Sequence, residues 1–180
     1  MTRSILFFAL IIIVGVLVSE TASAYTTTEQ RVQKINETTA IFFIDFAFGH
    51  ENYDLYIPIL TKRGQEHGTK AKTLGFEILE DREEPTDRGN VQALVLGKTK
   101  IENGMYKVPK GYKAPFTLAV VYTTDKALIE GDYVVQVTDL PFYRGDDMEY
   151  MHLNPSELQY YVTPEIELNS DNDPPVQHQG

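Results

Sequence analysis

The sequence predicts an all-β protein, and two patterns carry that prediction. Apolar residues alternate with other residues along short segments, and Gly, Pro, Asn and Asp separate those segments. Nowhere do apolar residues keep a helical spacing over three turns. About seven to nine short strands in an antiparallel two-sheet sandwich, immunoglobulin-like or jelly-roll in kind, fit both patterns.

The first 24 residues are typical of an export signal. Arg3 precedes an apolar run over residues 5–18, which is shorter than the roughly 20 residues of a membrane-spanning helix. The small residues at 22–24 match the site that signal peptidase recognises, so we expect cleavage after Ala24. An uncleaved membrane anchor formed by residues 5–18 is the alternative. Either way we expect an exported protein that is secreted, periplasmic or held at the cell surface.

A hairpin opens the predicted domain. Residues 39–48 are apolar on both faces, which predicts a central strand with Asp45 as its one charged member. A buried carboxylate needs a partner, so we expect Asp45 to form a structural salt bridge or a backbone hydrogen bond. Residues 53–60 alternate again, and Pro58 places this second strand at an edge or a bulge.

Further strands and turns follow along the chain. We expect a loop over residues 61–72, since no periodicity is present there. Asn103 and Gly104 predict a hairpin turn because both residue types tolerate positive φ. Asn154 and Pro155 predict the start of a helical turn. The other expected strands cover residues 73–79, 91–96, 116–123 and 133–140.

These elements divide the chain into four parts. Residues 1–24 form the signal peptide, and residues 25–38 form an N-terminal lead. The β-sandwich domain covers residues 39–168. Residues 169–180 are polar, acidic and proline-bearing, which predicts a disordered acidic tail.

Composition and motifs limit the functions that this chain can have. A formal charge of −10 disfavours binding to nucleic acid or to anionic lipid. The absence of Cys excludes disulfides, thiol nucleophiles and Cys-ligated metals. No G-x-S-x-G, P-loop, G-x-G-x-x-G or H-E-x-x-H motif is present, so we expect no enzyme.

The strongest polar cluster gives the candidate metal ligands, which are Asp146, Asp147, Glu149 and His152. Carboxylates suit Ca²⁺, and an added imidazole suits Zn²⁺. On a helix, three of these residues would share one face. A solvated acidic loop is the alternative, and we expect no cofactor, with Ca²⁺ as the possible exception.

The same region supplies the candidate binding residues. Arg144, Gly145 and Asp146 spell the tripeptide that integrins recognise, and Tyr143 and Tyr150 flank it. Aromatic rings near loops could also stack on sugars, although the chain lacks the Trp that sugar-binding sandwiches use. Other tyrosines near loops are Tyr112, Tyr160 and Tyr161.

Four stretches of the chain carry a resemblance. They are AYTTTEQ after the cleavage site, GHEN leading into YIPI, VLGKTKIENGMYKVPKG with the later FTL, and LNPSELQYYVTPE. They carry a similarity that extends over most of the mature chain, which resembles uncharacterised secreted bacterial proteins with a signal peptide and a single β-sandwich domain. The resemblance implies export and fold, and it implies no activity.

We therefore expect a secreted or cell-surface β-sandwich module that acts without catalysis as a structural or protein-interaction domain. Its partner is expected to be a protein or a cell-surface component. The alternative is an extracellular module that binds Ca²⁺ or carbohydrate through residues 144–152 and loop tyrosines. An extracellular hydrolase with paired carboxylates is a third possibility, which geometry rather than spacing would reveal. Asn36 begins an N-glycosylation sequon that has meaning only in a host that modifies such sites.

Overall fold

A computed structural model of the protein describes residues 25–124 and 131–168. Within these ranges the chain forms fourteen strands and one short helix, α1 (Pro155–Leu158). In chain order the strands are β1 (Tyr25–Asn36), β2 (Thr39–Gly49), β3 (Leu55–Pro58), β4 (Leu60–Arg63), β5 (Thr73–Glu80), β6 (Glu84–Pro85), β7 (Asn90–Gly97), β8 (Ile101–Glu102), β9 (Met105–Val108), β10 (Lys113–Thr123), β11 (Gly131–Asp139), β12 (Pro141–Arg144), β13 (Glu149–His152) and β14 (Ile166–Leu168). The expected signal peptide and acidic tail lie outside the described residues. Across the described ranges, no helix has the length and apolarity that a membrane crossing requires.

The strands form three sheets. Sheet A has the order β1-β2-β10-β7, sheet B the order β13-β12-β3-β9-β8, and sheet C the order β14-β11-β5-β4 with β6 beside β5. The pairs between these strands are antiparallel except β4 with β5, which run parallel. The predicted all-β, antiparallel sandwich class is thus confirmed, while an immunoglobulin-like or jelly-roll topology stays a prediction. The strand number was predicted too low, because strands such as β6 and β8 have two residues each and show no alternation.

Residues 25–38 differ from the lead that the sequence predicts. They form β1 and the turn after it, and β1 pairs with β2 from Tyr25 opposite Phe48 to Asn36 opposite Thr39. As an edge strand, β1 exposes most of its polar residues after position 28, so its sequence lacks a clear apolar face. The described fold therefore includes β1 as the edge strand of sheet A.

One apolar core lies between the three sheets. Phe46 of β2 is fully buried and packs on Phe116 of β10 with 5.8 Å between ring centroids. Tyr122 of β10 contacts Tyr133 of β11 at 5.0 Å, which joins sheet A to sheet C. The other buried side chains on the inward face of β2 are those of Ala40, Phe42, Ile44 and Phe48. This main core cluster includes residues of all three sheets, and a smaller cluster of Tyr56, Met105 and Tyr143 lies in sheet B.

Asp45 lies on the opposite face of β2 and is paired as expected. Its Oδ2 accepts a hydrogen bond from Arg31 Nη1 at 2.6 Å, and the hydroxyl of Thr117 donates to Oδ1. The guanidinium of Arg31 also lies 4.6 Å from the ring centroid of Phe43. The carboxylate therefore has a structural partner on the outer face of sheet A.

A second carboxylate fixes the edge of sheet B. Asp54 Oδ1 accepts a hydrogen bond from the backbone N–H of Lys110 at 2.9 Å, and Lys107 Nζ lies 3.0 Å from Oδ2. The Lys110 N–H and then the Lys107 ammonium hold the pKa of Asp54 below its ordinary value. Asp54 and then Tyr56 raise the pKa of Lys107 in turn. These contacts tie the start of β3 to β9 and to the turn that follows it.

We expect Phe46→Ala to lower the free energy of unfolding by about 3–5 kcal/mol, because it leaves a cavity in the shared core. Phe43→Ala is the matched control, since this ring lies on the same strand and faces away from the core. Phe43→Ala should lower the free energy of unfolding by only about 1 kcal/mol. Urea denaturation measures both, and equal losses would contradict the assignment of the two faces.

We expect Asp54→Asn to lower the free energy of unfolding by about 1 kcal/mol at pH 7, since it removes a partly exposed ion pair and a charge-assisted hydrogen bond. The pKa of Asp54 is lowered in the folded state, so its stabilisation is complete above the ordinary value of 3.8. It is lost as the pH falls through the folded pKa.

Urea denaturation at pH 7 and at about pH 2 tests this pH dependence. The free energies of unfolding of the unmodified protein and of Asp54→Asn should become equal at the lower pH. Glu83→Gln is the control, since Glu83 is exposed and should change stability by about 0.5 kcal/mol or less. A difference for Asp54→Asn that stays constant between the two pH values would refute the ion-pair account.

Candidate metal centre

Three polar side chains from distant parts of the sequence meet at one end of sheets B and C. Asp139 is the last residue of β11, His152 is the last residue of β13, and His67 lies in the loop 64–72 between β4 and β5. One potential ligand atom of each residue lies within 4.8 Å of those of the other two. We call this group the His–Asp–His cluster.

Asp139 is the buried member of the cluster, with 0% of its surface exposed. Gln65 Nε2 donates a hydrogen bond to Oδ2 at 2.9 Å, and the backbone N–H of Gly68 donates to Oδ1 at 3.3 Å. Within residues 25–124 and 131–168, no ion pair joins this carboxylate to a cationic side chain. Buried carboxylates in proteins are usually paired with a cation or bound to a metal.

The two imidazoles are oriented by their surroundings. His67 Nε2 lies 2.8 Å from the carbonyl oxygen of Leu153, which can only accept, so Nε2 carries the proton and Nδ1 is free to bind a cation. Such a hydrogen bond on the far nitrogen is the usual way in which proteins orient a metal-binding histidine. His152 stacks on His67 with 4.6 Å between ring centroids, and its buried Nδ1 has no hydrogen-bond partner among the described residues.

Gly68 allows the loop to lie against the second imidazole. Its φ of +77° is in the left-handed region, which favours glycine. A Cβ at this position would lie 3.4 Å from Cε1 and 3.7 Å from Nδ1 of His152. The Gly68 backbone therefore approaches both the unpartnered nitrogen and the buried carboxylate of Asp139.

Gln65 holds this loop against β5 and β11. Its side-chain amide donates to the carbonyl of Thr73 at 2.9 Å and accepts from the Thr73 hydroxyl at 2.5 Å. Its backbone carbonyl accepts a hydrogen bond from the Thr138 hydroxyl at 2.7 Å. Because Gln65 also donates to Asp139, a single buried side chain connects the loop, both strands and the cluster.

Tyr150 closes the side of the cluster that faces sheet B. Its hydroxyl donates to the carbonyl of Thr69 at 3.1 Å, and its ring centroid lies 5.5 Å from that of His152. Burial, followed by the charges of Asp139 and Tyr143, raises the pKa of Tyr150 to about 12. The hydroxyl therefore remains a protonated donor to the loop at neutral pH.

The donor set of two imidazole nitrogens and one carboxylate oxygen suits Zn²⁺ and similar transition ions. Zinc bonds of about 2.0–2.2 Å place neighbouring ligand atoms about 3.4 Å apart in a tetrahedron. The three ligand atoms lie within 4.8 Å of one another, so each would have to move toward the other two by about 1 Å or less. Rotation of the partly exposed histidine side chains can supply this movement. Ca²⁺ fits poorly, because it takes six to eight oxygen ligands.

Only one of the four predicted metal ligands belongs to this cluster. His152 does, but Asp146 and Asp147 lie exposed in the turn between β12 and β13. The segment is a β-hairpin in which Glu149 lies opposite Arg144, so the face that these residues would share on a helix does not form. Side chains alternate along a strand, so Glu149 and His152 point to opposite faces of β13.

The predicted binding residues occupy the same hairpin. Arg144 donates from Nε to Glu149 at 2.9 Å, and its guanidinium lies 4.9 Å from the ring centroid of Tyr53. Gly145 has a φ of +67° at the start of the turn. Tyr143 is buried and Tyr150 is half-buried, so neither ring offers an open face to a sugar.

Other tyrosines and the glycosylation candidate lie elsewhere on the surface. Tyr112 and Tyr160 are 67% and 64% exposed, whereas Tyr161 is in the core. Asn36 ends β1 and is exposed, and its Oδ1 accepts a hydrogen bond from the backbone N–H of Thr38 at 3.0 Å.

Sequence reasoning missed His67 and Asp139. In the sequence, the alternation of Tyr133, Val135 and Val137 continues to Asp139. In the structure a register shift after Val137 places Asp139 opposite Gly75, on the face of sheet C that the loop 64–72 covers. His67 lies in a loop without periodicity, so nothing in its local sequence indicates a role.

Comparison of the chain with protein-family models, with curated proteins and with solved structures finds no match.

We expect Gly75→Ala to lower the free energy of unfolding by about 1–3 kcal/mol, because overpacking forces rigid neighbours to move. The added Cβ would lie 2.9 Å from Cβ of Gln65 and 3.1 Å from Cβ of Asp139. Thermal denaturation in the presence of a chelator measures the effect without any metal contribution. Unchanged stability would show that the packing around Gln65 is looser than these distances indicate.

Proposed function

We propose that this protein is an exported binding module that holds a divalent transition metal, best matched by Zn²⁺, through His67, Asp139 and His152. One observation carries the proposal. Asp139 is fully buried without a cationic partner in the described ranges, and two imidazoles lie beside it. A metal ion would neutralise this carboxylate and bind both histidines at once.

The unpartnered nitrogen of His152 also supports a metal ion. Its Nδ1 is buried and forms no hydrogen bond with any residue that the structure describes. A buried polar atom without a partner costs about 1–3 kcal/mol. A metal ion instead uses the lone pair of this nitrogen, and the carbonyl of Leu153 orients His67 for the same purpose.

The ion has a structural role in this proposal. Its ligands come from the loop 64–72, from β11 of sheet C and from β13 of sheet B, so one ion would join segments that are far apart in sequence. The chain has no Cys and cannot form a disulfide. Metal binding to the native state alone would therefore add its free energy to folding.

The proposal also includes export of the protein and the kind of partner that it binds. The apolar run and small-residue site in the first 24 residues support export, as does the resemblance to secreted bacterial β-sandwich proteins. An exported protein without disulfides gains from a metal cross-link. The partner of the module would be a protein or a cell-surface component, and catalysis is not part of the proposal.

We expect Zn²⁺ to raise the melting temperature of the metal-free full chain by roughly 5–10 °C. At a free concentration of 100 times Kd, binding adds about 2.7 kcal/mol, and each kcal/mol corresponds to about 2–4 °C for a protein of this size. Differential scanning calorimetry measures the shift, and isothermal titration should give one ion per chain. Ca²⁺ should give no shift.

Variants connect the shift to the cluster. His67→Gln and His152→Gln should each remove most of the response, whereas His50→Gln should keep it, because His50 lies outside the cluster. A full response in the double variant His67→Gln/His152→Gln, or no response in the unmodified protein, would refute the proposal.

A further inference from the structure

A second surface differs in charge from the rest of the molecule. Residues 98–113 carry five lysines and one acidic residue, Glu102, although the whole chain has a formal charge of −10. This stretch runs from the end of β7 through β8 and β9 to the start of β10. It does not include any member of the His–Asp–His cluster, so it is independent of the proposed metal site.

A cleft of about 400 Å³ opens between the two arms of this stretch. The backbone N–H of Lys107 donates to the carbonyl of Lys100 at 2.8 Å, which holds the two arms together. Besides Glu102, the lining residues are Lys98, Thr99, Lys100, Lys107, Pro109 and Tyr112. We call this feature the lysine cleft.

The charges in the lysine cleft do not cancel. Lys107 lies 3.0 Å from Asp54 and 3.4 Å from Glu102, and Lys100 also lies 3.4 Å from Glu102. These two acids therefore offset two of the three lysines. Lys98 is exposed and forms no ion pair with any residue that the structure describes, so it supplies the unmatched positive charge.

The cleft also has uncharged groups that suit a sugar. Tyr112 is 67% exposed, so a flat ring is available at the rim. Pro109 also lines the cleft and adds an apolar surface. Binding sites for small molecules typically combine such an apolar surface with a few polar groups that fix orientation.

We propose that the lysine cleft binds a short acidic oligosaccharide. In this arrangement the ammonium of Lys98 binds the anionic group, and the ring of Tyr112 stacks on the face of a sugar. A sugar chain with sparse charge is favoured over nucleic acid, because the field of a protein with a charge of −10 repels a dense polyanion.

Isothermal titration of the full chain with tetragalacturonate tests the proposal, with maltotetraose as the neutral counterpart. We expect tetragalacturonate to bind at 50 mM NaCl, to bind more weakly at 300 mM because salt screens the lysine, and maltotetraose to bind at least tenfold more weakly. Lys98→Gln and Tyr112→Ala should each raise Kd about fivefold to tenfold, which corresponds to about 1.0–1.4 kcal/mol.

Two exposed residues elsewhere serve as matched controls. Lys62→Gln and Tyr160→Ala should leave Kd unchanged, because Lys62 lies on β4 and Tyr160 follows α1. Equal weakening in all four variants would overturn the assignment of the cleft, and circular dichroism checks that each variant folds. Equal binding of maltotetraose would overturn the role of Lys98.

Other anions distinguish the chemistry of the ligand. A sulfated and a phosphorylated tetrasaccharide are titrated in the same way as tetragalacturonate. If none of these three acidic sugars binds, the proposal is overturned. Tighter binding of hexaglutamate or of a thymidine octanucleotide through the same two residues would replace the sugar with an acidic peptide or a single-stranded nucleic acid.

Discussion

Burial of the inward face of β2 is the interaction on which the other elements depend. This strand pairs with β1 on one side and with β10 on the other along nearly its whole length. Its inward phenylalanines contact rings from all three layers, since Phe48 lies 5.2 Å from Phe142 of sheet B and Phe46 lies 6.3 Å from Tyr161 beside sheet C. Sheets B and C are therefore positioned by contact with a surface that sheet A presents.

The His–Asp–His cluster follows from this packing. Sheet C faces the core through alternate residues of β11 as far as Val137. A register shift then places Asp139 opposite Gly75 at the end of that strand, on the face that the loop 64–72 covers. Its carboxylate is then covered by the loop 64–72 and by the hairpin of β12 and β13, both of which pack on the core through their neighbours. The fold thus creates a buried charge, and the surrounding donors and imidazoles are the groups that can compensate for it.

Much of the fold could be predicted from sequence, because long strands leave a clear pattern. Residues 39–48 show alternation over the length of β2, and Asn103 and Gly104 have the positive φ values of 54° and 74° that their residue types indicate. The Asn154-Pro155 start of α1 was predicted as well, and Glu157 completes its capping box. Two-residue strands, the polar edge strand β1 and the parallel β4–β5 pair leave no such pattern, because tertiary contacts alone define them. The His–Asp–His cluster could not be predicted for the same reason, since only His152 lies in a stretch that the sequence indicates as a polar cluster.

The parallel pairing of β4 with β5 sets a length limit on the loop that carries His67. Parallel neighbours require the chain to return to its starting end, and here nine residues, 64–72, make that return. A crossover of this kind usually takes a dozen residues or more, so the loop has little slack. Because the loop is short, the effective concentration of His67 beside Asp139 is high, and each added residue would lower that effective concentration. This loop should therefore tolerate insertions poorly, although surface loops generally accept them. In a related chain, a longer loop at this position would indicate that the His–Asp–His cluster is not kept.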